Sequence, residues 1–171
     1  MIIGHGDIAS VLPDKKGWIF FASGVSNSGE TRESEYKREK DLLMKQDKKR
    51  HIVYFSSLSI FYRNTRYTRH KKKMEDIIRS TFRHYTILRL GNITWGKNPH
   101  TFINYFYNHL KSGKKLDIWD TYRYPVNKEE FLHWISLIPA WNCELNITGE
   151  RMRVADIVKK YVYPRLHSKK T

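Results

Sequence analysis

Ser57, Tyr67 and Lys71 are the residues of this chain whose types and spacing fit proton-transfer chemistry. A phenol of ordinary pKa near ~10 is a poor base at neutral pH. An ammonium one helical turn away favours its phenolate, and a serine hydroxyl can hold the oxygen whose proton moves. Lys71 follows Tyr67 by four positions, so on a helix the two share a face. Spacing alone does not single them out, because Tyr-x-x-x-Lys also occurs at Tyr36/Lys40, Tyr107/Lys111 and Tyr124/Lys128, where exposed helical side chains are the simpler reading. Pro125 argues against a helix interior at the last of these. Only Tyr67/Lys71 follows an apolar, β-branched run that ends in paired serines, "HIVYFSS". Ser56 competes with Ser57 for the alcohol role.

To bring these groups together the chain needs a strand that ends at the serines and a helix that begins just before Tyr67. The pattern predicts both, a strand over 51–56 and a helix over 66–82. Further strands are predicted at 1–3, 18–22, 86–90 and 145–147, and further helices at 7–12, 34–46, 101–112, 128–138 and 153–161. Asn127 is placed to cap the helix that carries Glu129 and Glu130, and Gly113 to end the helix from Thr101. Strands alternating with helices indicate an α/β fold, a parallel sheet covered by helices.

With 171 residues and 40% hydrophobic content, the chain can bury one core, and a single domain over 1–171 is expected. No apolar run approaches the roughly 20 residues needed to cross a bilayer. The opening "MIIGHGD" has no basic region and no sustained apolar stretch, so no secretory leader is expected. Cys143 is the only cysteine, which excludes an intramolecular disulfide and a cysteine-rich metal site; the reducing cytoplasm is the expected location. The eight histidines show no metal-ligand pairing, and no metal is expected. Lys and Arg number 32 against 17 Asp and Glu, a net charge of +15 that favours anionic partners. The densest basic stretches are 45–50, 63–73 and the tail 165–170. No zinc finger, RNA-recognition sheet motif or helix-turn-helix accompanies them, so nucleic-acid binding rests on charge alone.

In order along the chain, "GHGDIAS", "WIFFASGVSNS", "IVYFSSLSIFY", "YTRHKKKMED", "YTILRLGNITWGKNP" and "LNITGERMRVADIVKKYV" resemble the motifs of the extended short-chain dehydrogenase/reductase family, the nucleotide-sugar epimerases and dehydratases. The resemblance covers nearly the whole chain. It implies a Rossmann-like sheet and NAD or NADP as cofactor. Tyr67 would exchange a sugar hydroxyl proton, Lys71 would hold the nicotinamide ribose and depress the Tyr67 pKa, and Ser57 would hydrogen-bond the substrate oxygen. Phe61, standing where the family often has Tyr, favours Ser57 over Ser56. The cofactor cleft would be lined by Gly4, His5, Gly6, Asp7 and Ile8 in the glycine-rich turn, by Ala22, Ser23, Gly24 and Ser56, by Lys71, and by Gly91 and Asn92. Pairing of two copies through the Tyr67 helix is implied as well.

The chain also departs from that pattern. Asp7 is a poor neighbour for a phosphate, and Pro13 and Gly17 lead straight to Trp18 with no room for two further strands. No acidic residue stands about 20 positions on for the adenosine ribose, since Glu30 lies in a loop after the next strand. The expected fold is therefore a truncated Rossmann-like parallel sheet of about five strands, without the adenosine-side strands, in which the first strand lies at an edge. Only nine residues separate Ser57 from Tyr67, and a small substrate-side portion occupies 96–142 with two helices and one strand. Three functions stay open: a minimal NAD(P)-dependent epimerase, dehydratase or reductase acting on a nucleotide sugar; a non-catalytic relative that binds a nucleotide or a protein partner; and a basic nucleic-acid-binding protein.

Overall fold

The computed structural model describes residues 1–167. The strands are β1 (Ile2–Ile3), β2 (Trp18–Phe21), β3 (His51–Ser57), β4 (His84–Leu90), β5 (Asn92–Ile93), β6 (Tyr122–Arg123), β7 (Pro125–Val126), β8 (Cys143–Ile147) and β9 (Met152–Arg153). The helices are α1 (Glu33–Met44), α2 (Arg66–Thr81), α3 (Phe102–Lys111), α4 (Lys128–Ser136), α5 (Val154–Ile157) and α6 (Tyr163–His167). Five parallel strands form one sheet in the order β1-β2-β3-β4-β8, with β1 at the edge. This is the truncated Rossmann-like arrangement, since no strand separates β1 from β2 along the chain.

The central strands are buried on both faces, which is why they read as continuous apolar runs. Ile19, Phe21, Ile52, Tyr54 and Ile87 pack beneath Leu43 of α1 and Met74 and Ile78 of α2. Phe20, Val53, Phe55, Leu88 and Leu90 face the other way, onto Phe131 and Ile135 of α4. A third cluster joins Ile103 and Phe106 of α3 to Val154, Ile157, Val158 and Val162 near the end of the described chain. Thr65 starts α2 with a reciprocal cap: its hydroxyl accepts from the Thr68 amide, and the Thr68 hydroxyl accepts from the Thr65 amide. Asn127 caps α4 by accepting from the Glu130 amide at 2.8 Å, and Gly113 closes α3.

Three expectations are corrected. The helix expected over 7–12 is a single 3₁₀ turn, Ala9–Val11, because Pro13 stops the segment before a helix can propagate. The helix expected over 153–161 continues through a π segment, Val158–Val162, to His167, and its apolar face packs on α3. The 96–142 portion holds β6 and β7 rather than one strand. Lys169 and Lys170 of the basic tail lie outside the described residues. Among the described residues no helix is long and apolar enough to cross a membrane.

Candidate active site

The carboxyl ends of β2, β3 and β4 open into a cavity of about 960 Å³, and Ser57, Tyr67 and Lys71 all line it. Strand alternation separates the two serines. Ser56 points toward α2, where its hydroxyl donates to Glu75 Oε1 at 2.6 Å, so its side chain is committed to a buried network with Arg89 although the residue borders the cavity. Ser57 points the other way; its Oγ lies 2.8 Å from Ser59 Oγ and accepts from the Ser59 amide at 3.2 Å.

Tyr67 and Lys71 share one face of α2, with the ammonium 5.8 Å from the Tyr67 ring. Lys71 does pull the phenol pKa down, but the net shift is upward. Burial raises the Tyr67 pKa above its ordinary 10, and Lys71 and the nearby Ser57 hydroxyl only partly oppose it while Glu39 adds to the rise. Lys71 has another partner. Its Nζ donates to Glu39 Oε1 at 3.0 Å and to the Tyr54 hydroxyl at 3.1 Å. Glu39 is fully buried and also accepts from Tyr54 at 2.7 Å and from the Val25 amide at 2.7 Å, with His70 Nε2 3.1 Å from its second oxygen. Gly24 covers the pair so closely that a Cβ there would fall 2.6 Å from Lys71 Nζ. In this structure the lysine expected to hold a ribose is therefore engaged by a carboxylate.

The glycine-rich turn departs from its expected role. His5, Gly6, Asp7 and Ile8 line the cavity. Gly4 does its work elsewhere: a Cβ there would fall 2.5 Å from the Ala22 carbonyl, so it lets the ends of β1 and β2 approach. The Asp7 carboxylate, expected to repel phosphate, accepts from the Lys97 amide at 2.9 Å and the Asn98 amide at 3.0 Å, and its carbonyl accepts from Trp95 Nε1 at 3.1 Å. It is a clamp on the 95–98 loop. With only a 3₁₀ turn behind it, this segment offers no helix N-terminus to a pyrophosphate. Ala22, Ser23, Gly24, Gly91 and Asn92 line the cavity, and Gly91 is additionally required because a Cβ there would meet the Tyr124 carbonyl at 2.2 Å.

Sequence reasoning did not find Glu39, Tyr54, His70 or Arg123. A signal for Glu39 existed, since it shares the inward face of α1 with Tyr36 and Leu43. Arg123, buried in the cavity wall, carries no comparable signal in the sequence.

No protein-family model and no curated protein matches the chain. Solved structures do. The enzyme WbmG from Bordetella bronchiseptica in complex with NAD matches with a TM-score of 0.57 at 18% identity, over 84% of this chain and 54% of its own. UDP-N-acetylglucosamine 4-epimerase from Methanobrevibacter ruminantium, in complex with UDP-N-acetylmuramic acid, gives 0.60 at 16% identity, over 90% and 61%. UDP-glucose 4-epimerase from Thermotoga maritima with UDP-glucose gives 0.61 at 15% identity, over 84% and 59%. The chain spans between 54% and 61% of the length of these proteins and has a truncated form of their fold.

Proposed function

We propose that the chain is a minimal NAD(P)-dependent protein of the nucleotide-sugar epimerase, dehydratase or reductase kind, in which Tyr67 exchanges the proton of a sugar hydroxyl. The observation that carries this reading is the pairing of Ser57 and Tyr67 in one cavity at the carboxyl ends of a parallel sheet, where ligands of such sheets bind. A volume of about 960 Å³ is at the upper end of ordinary ligand sites. The similar structures hold NAD or UDP-linked ligands, which supports the same ligand classes here.

The residues fit the nicotinamide side of a dinucleotide better than its adenosine side. Ala22, Ser23, Gly91 and Asn92 would border the nicotinamide nucleotide, whereas the chain runs from Leu12 through Pro13 to β2 with no strand to cradle adenosine. Bound NAD(P) would supply hydride acceptance or donation. The rest falls to this chain: Ser57 would orient the substrate hydroxyl, and Tyr67 would give up or return its proton at the phenol oxygen. Held protonated by burial, Tyr67 is better suited to donate than to accept at neutral pH.

A second reading, a non-catalytic nucleotide binder, is favoured by the engagement of Lys71 with Glu39. A thermal-shift screen with NAD, NADP, their reduced forms and UDP-sugars, followed by the absorbance of reduced nicotinamide under turnover, separates the two. The enzyme reading expects both a raised midpoint and turnover lost in Tyr67→Phe. A raised midpoint without turnover supports the binder, and no shift with any of these ligands overturns both.

A further inference from the structure

The parallel strands all begin at one end of the sheet, opposite the cavity. Their register sets Trp18 beside His51, His51 beside His84, and Thr86 beside Cys143, so the segments leading into β2, β3, β4 and β8 lie side by side. Hydrogen bonds tie these segments together. Asn142 Nδ2 donates to the Arg83 carbonyl at 3.2 Å, the Arg83 amide to the Lys48 carbonyl at 3.2 Å, and Arg50 Nη2 to the Trp18 carbonyl at 2.9 Å. The result is one continuous rim made of residues 13–17, 47–50, 83 and 137–142. It carries the cations Lys15, Lys16, Lys48, Lys49, Arg50 and Arg83 against two acids, Asp14 and Asp47, and Asp14 is already paired with the Met1 ammonium at 2.5 Å. Among the described residues none of these six cations is in an ion pair. The segment into β8 adds apolar surface. Leu137 and Trp141 are 55% and 71% exposed, and Trp134, one turn above Leu137 on α4, is 38% exposed. Trp141 is the most exposed large apolar side chain among the described residues.

Exposed tryptophan and leucine beside unpaired lysines form a combination that a lipid headgroup layer satisfies. Indole rings rest at headgroup depth, leucine reaches the acyl boundary, and ammonium groups stay level with anionic headgroups while their stems cover apolar surface. Other occupants fit less well. A second copy docked through this rim would set its six cations against six more. The phosphates of a nucleic acid would meet the cations but leave Leu137 in water. We propose that this rim is a docking surface for an anionic lipid bilayer, on which the chain rests with Leu137 and Trp141 inserted to headgroup depth and without spanning it. The seven residues of β3 hold the rim about 23 Å from the cavity, so the mouth of the cavity faces the aqueous side of a docked molecule. Docking of this kind is independent of the reaction proposed for the cavity.

Sedimentation of the full chain with vesicles tests it. Vesicles of mixed phosphatidylcholine and phosphatidylserine are expected to bind roughly tenfold tighter than phosphatidylcholine alone, a preference that collapses in about 1 M salt, where charges are screened within about 3 Å. The triple variant Lys16→Gln, Lys49→Gln, Arg83→Gln should erase the preference. The double variant Leu137→Gln, Trp141→Gln should weaken binding roughly tenfold and remove most of the tryptophan fluorescence blue shift that insertion produces, while the salt dependence stays. All five positions are exposed, so the thermal midpoints should match wild type. A control variant, Lys37→Gln, Lys40→Gln, Lys73→Gln, removes the same charge from the outer faces of α1 and α2 and should leave vesicle binding within about twofold. An equal loss in the control and the rim triple means that the net charge of +15 alone drives binding, and overturns the surface. Absence of binding to the acidic vesicles overturns it too, as does an undiminished blue shift in the double variant. Should the double variant fail to fold, quenching of wild-type tryptophan fluorescence by bromine-labelled lipid decides, with no quenching counting against insertion. Tighter binding to duplex RNA that both rim variants weaken assigns the surface to nucleic acid instead.

Discussion

The Glu39 carboxylate and the Lys71 ammonium meet at 3.0 Å beneath Gly24, and their side chains are 0% and 3% exposed. Burial by itself would raise the Glu39 pKa, but the charge of Lys71, with hydrogen bonds from His70, Val25 and Tyr54, brings it to about 2. For Lys71 the balance is reversed: burial lowers its pKa, and Glu39 more than restores it, so the amine stays charged.

Each partner removed alone strands a buried charge. Glu39→Gln and Lys71→Met are each expected to cost about 3–5 kcal/mol of folding stability, and the double variant well under their sum. Urea denaturation of the four proteins checks this, and additive costs would show that the pair is not coupled.

Stability should fall with pH in two separate windows. His51 is 7% exposed, stacked 4.0 Å from Trp18, with Nε2 2.8 Å from Thr86 Oγ1, and burial pushes its pKa down from 6.5 to about 4. The unfolded chain then binds the extra proton first, so this contribution is complete above 6.5 and is lost as pH falls to about 4, up to about 3 kcal/mol in all. Glu39 acts in a more acidic range: its depressed pKa contributes stability above the ordinary value of 4.5 that is lost as pH falls through about 2. Denaturant midpoints measured across both windows test the assignment. His51→Gln should flatten the upper window only.

Tyr67→Phe is expected to lower turnover by about 10²–10⁴-fold with little change in the thermal midpoint. Because burial holds the phenol above 10, oxidation of a sugar hydroxyl should keep accelerating as pH rises toward that value. A rate plateau near neutral pH would mean that another group takes the proton.

Gly149 has φ +62°, and a Cβ there would fall 1.9 Å from the Pro125 carbonyl in β7. Gly149→Ala should therefore cost about 2–4 kcal/mol through backbone strain and overpacking together. Gly113→Ala, with φ +71° and no atom within 4 Å of the added methyl, should cost only the strain, about 1–2 kcal/mol. Thermal denaturation of the two variants separates the terms.

The sheet was legible because parallel strands covered on both faces leave unbroken apolar runs, and β3 reads that way from Ile52 to Phe55. α2 starts at Arg66, where the sequence pattern places it, and the missing strands were legible in the short interval from Pro13 to Trp18. The electrostatics of the site were not. A lysine on a helix reads as solvated, and the acid that claims Lys71 stands 32 positions away on α1. The sign of the Tyr67 shift depends on how completely the fold removes water from the phenol, which the four-residue spacing to Lys71 does not report. Arg123 shows the same limit, since nothing local to β6 indicates that its surroundings are enclosed.

Asp7 ties the turn after β1 to the amides of Lys97 and Asn98, 90 and 91 positions further along the chain. Contacts of such long sequence separation close slowly and depend on the intervening elements being in place. On dilution from urea, helical circular dichroism should thus recover ahead of affinity for nucleotide, and a molecule halted between those two events would look nearly native while having no competent mouth for its ligand.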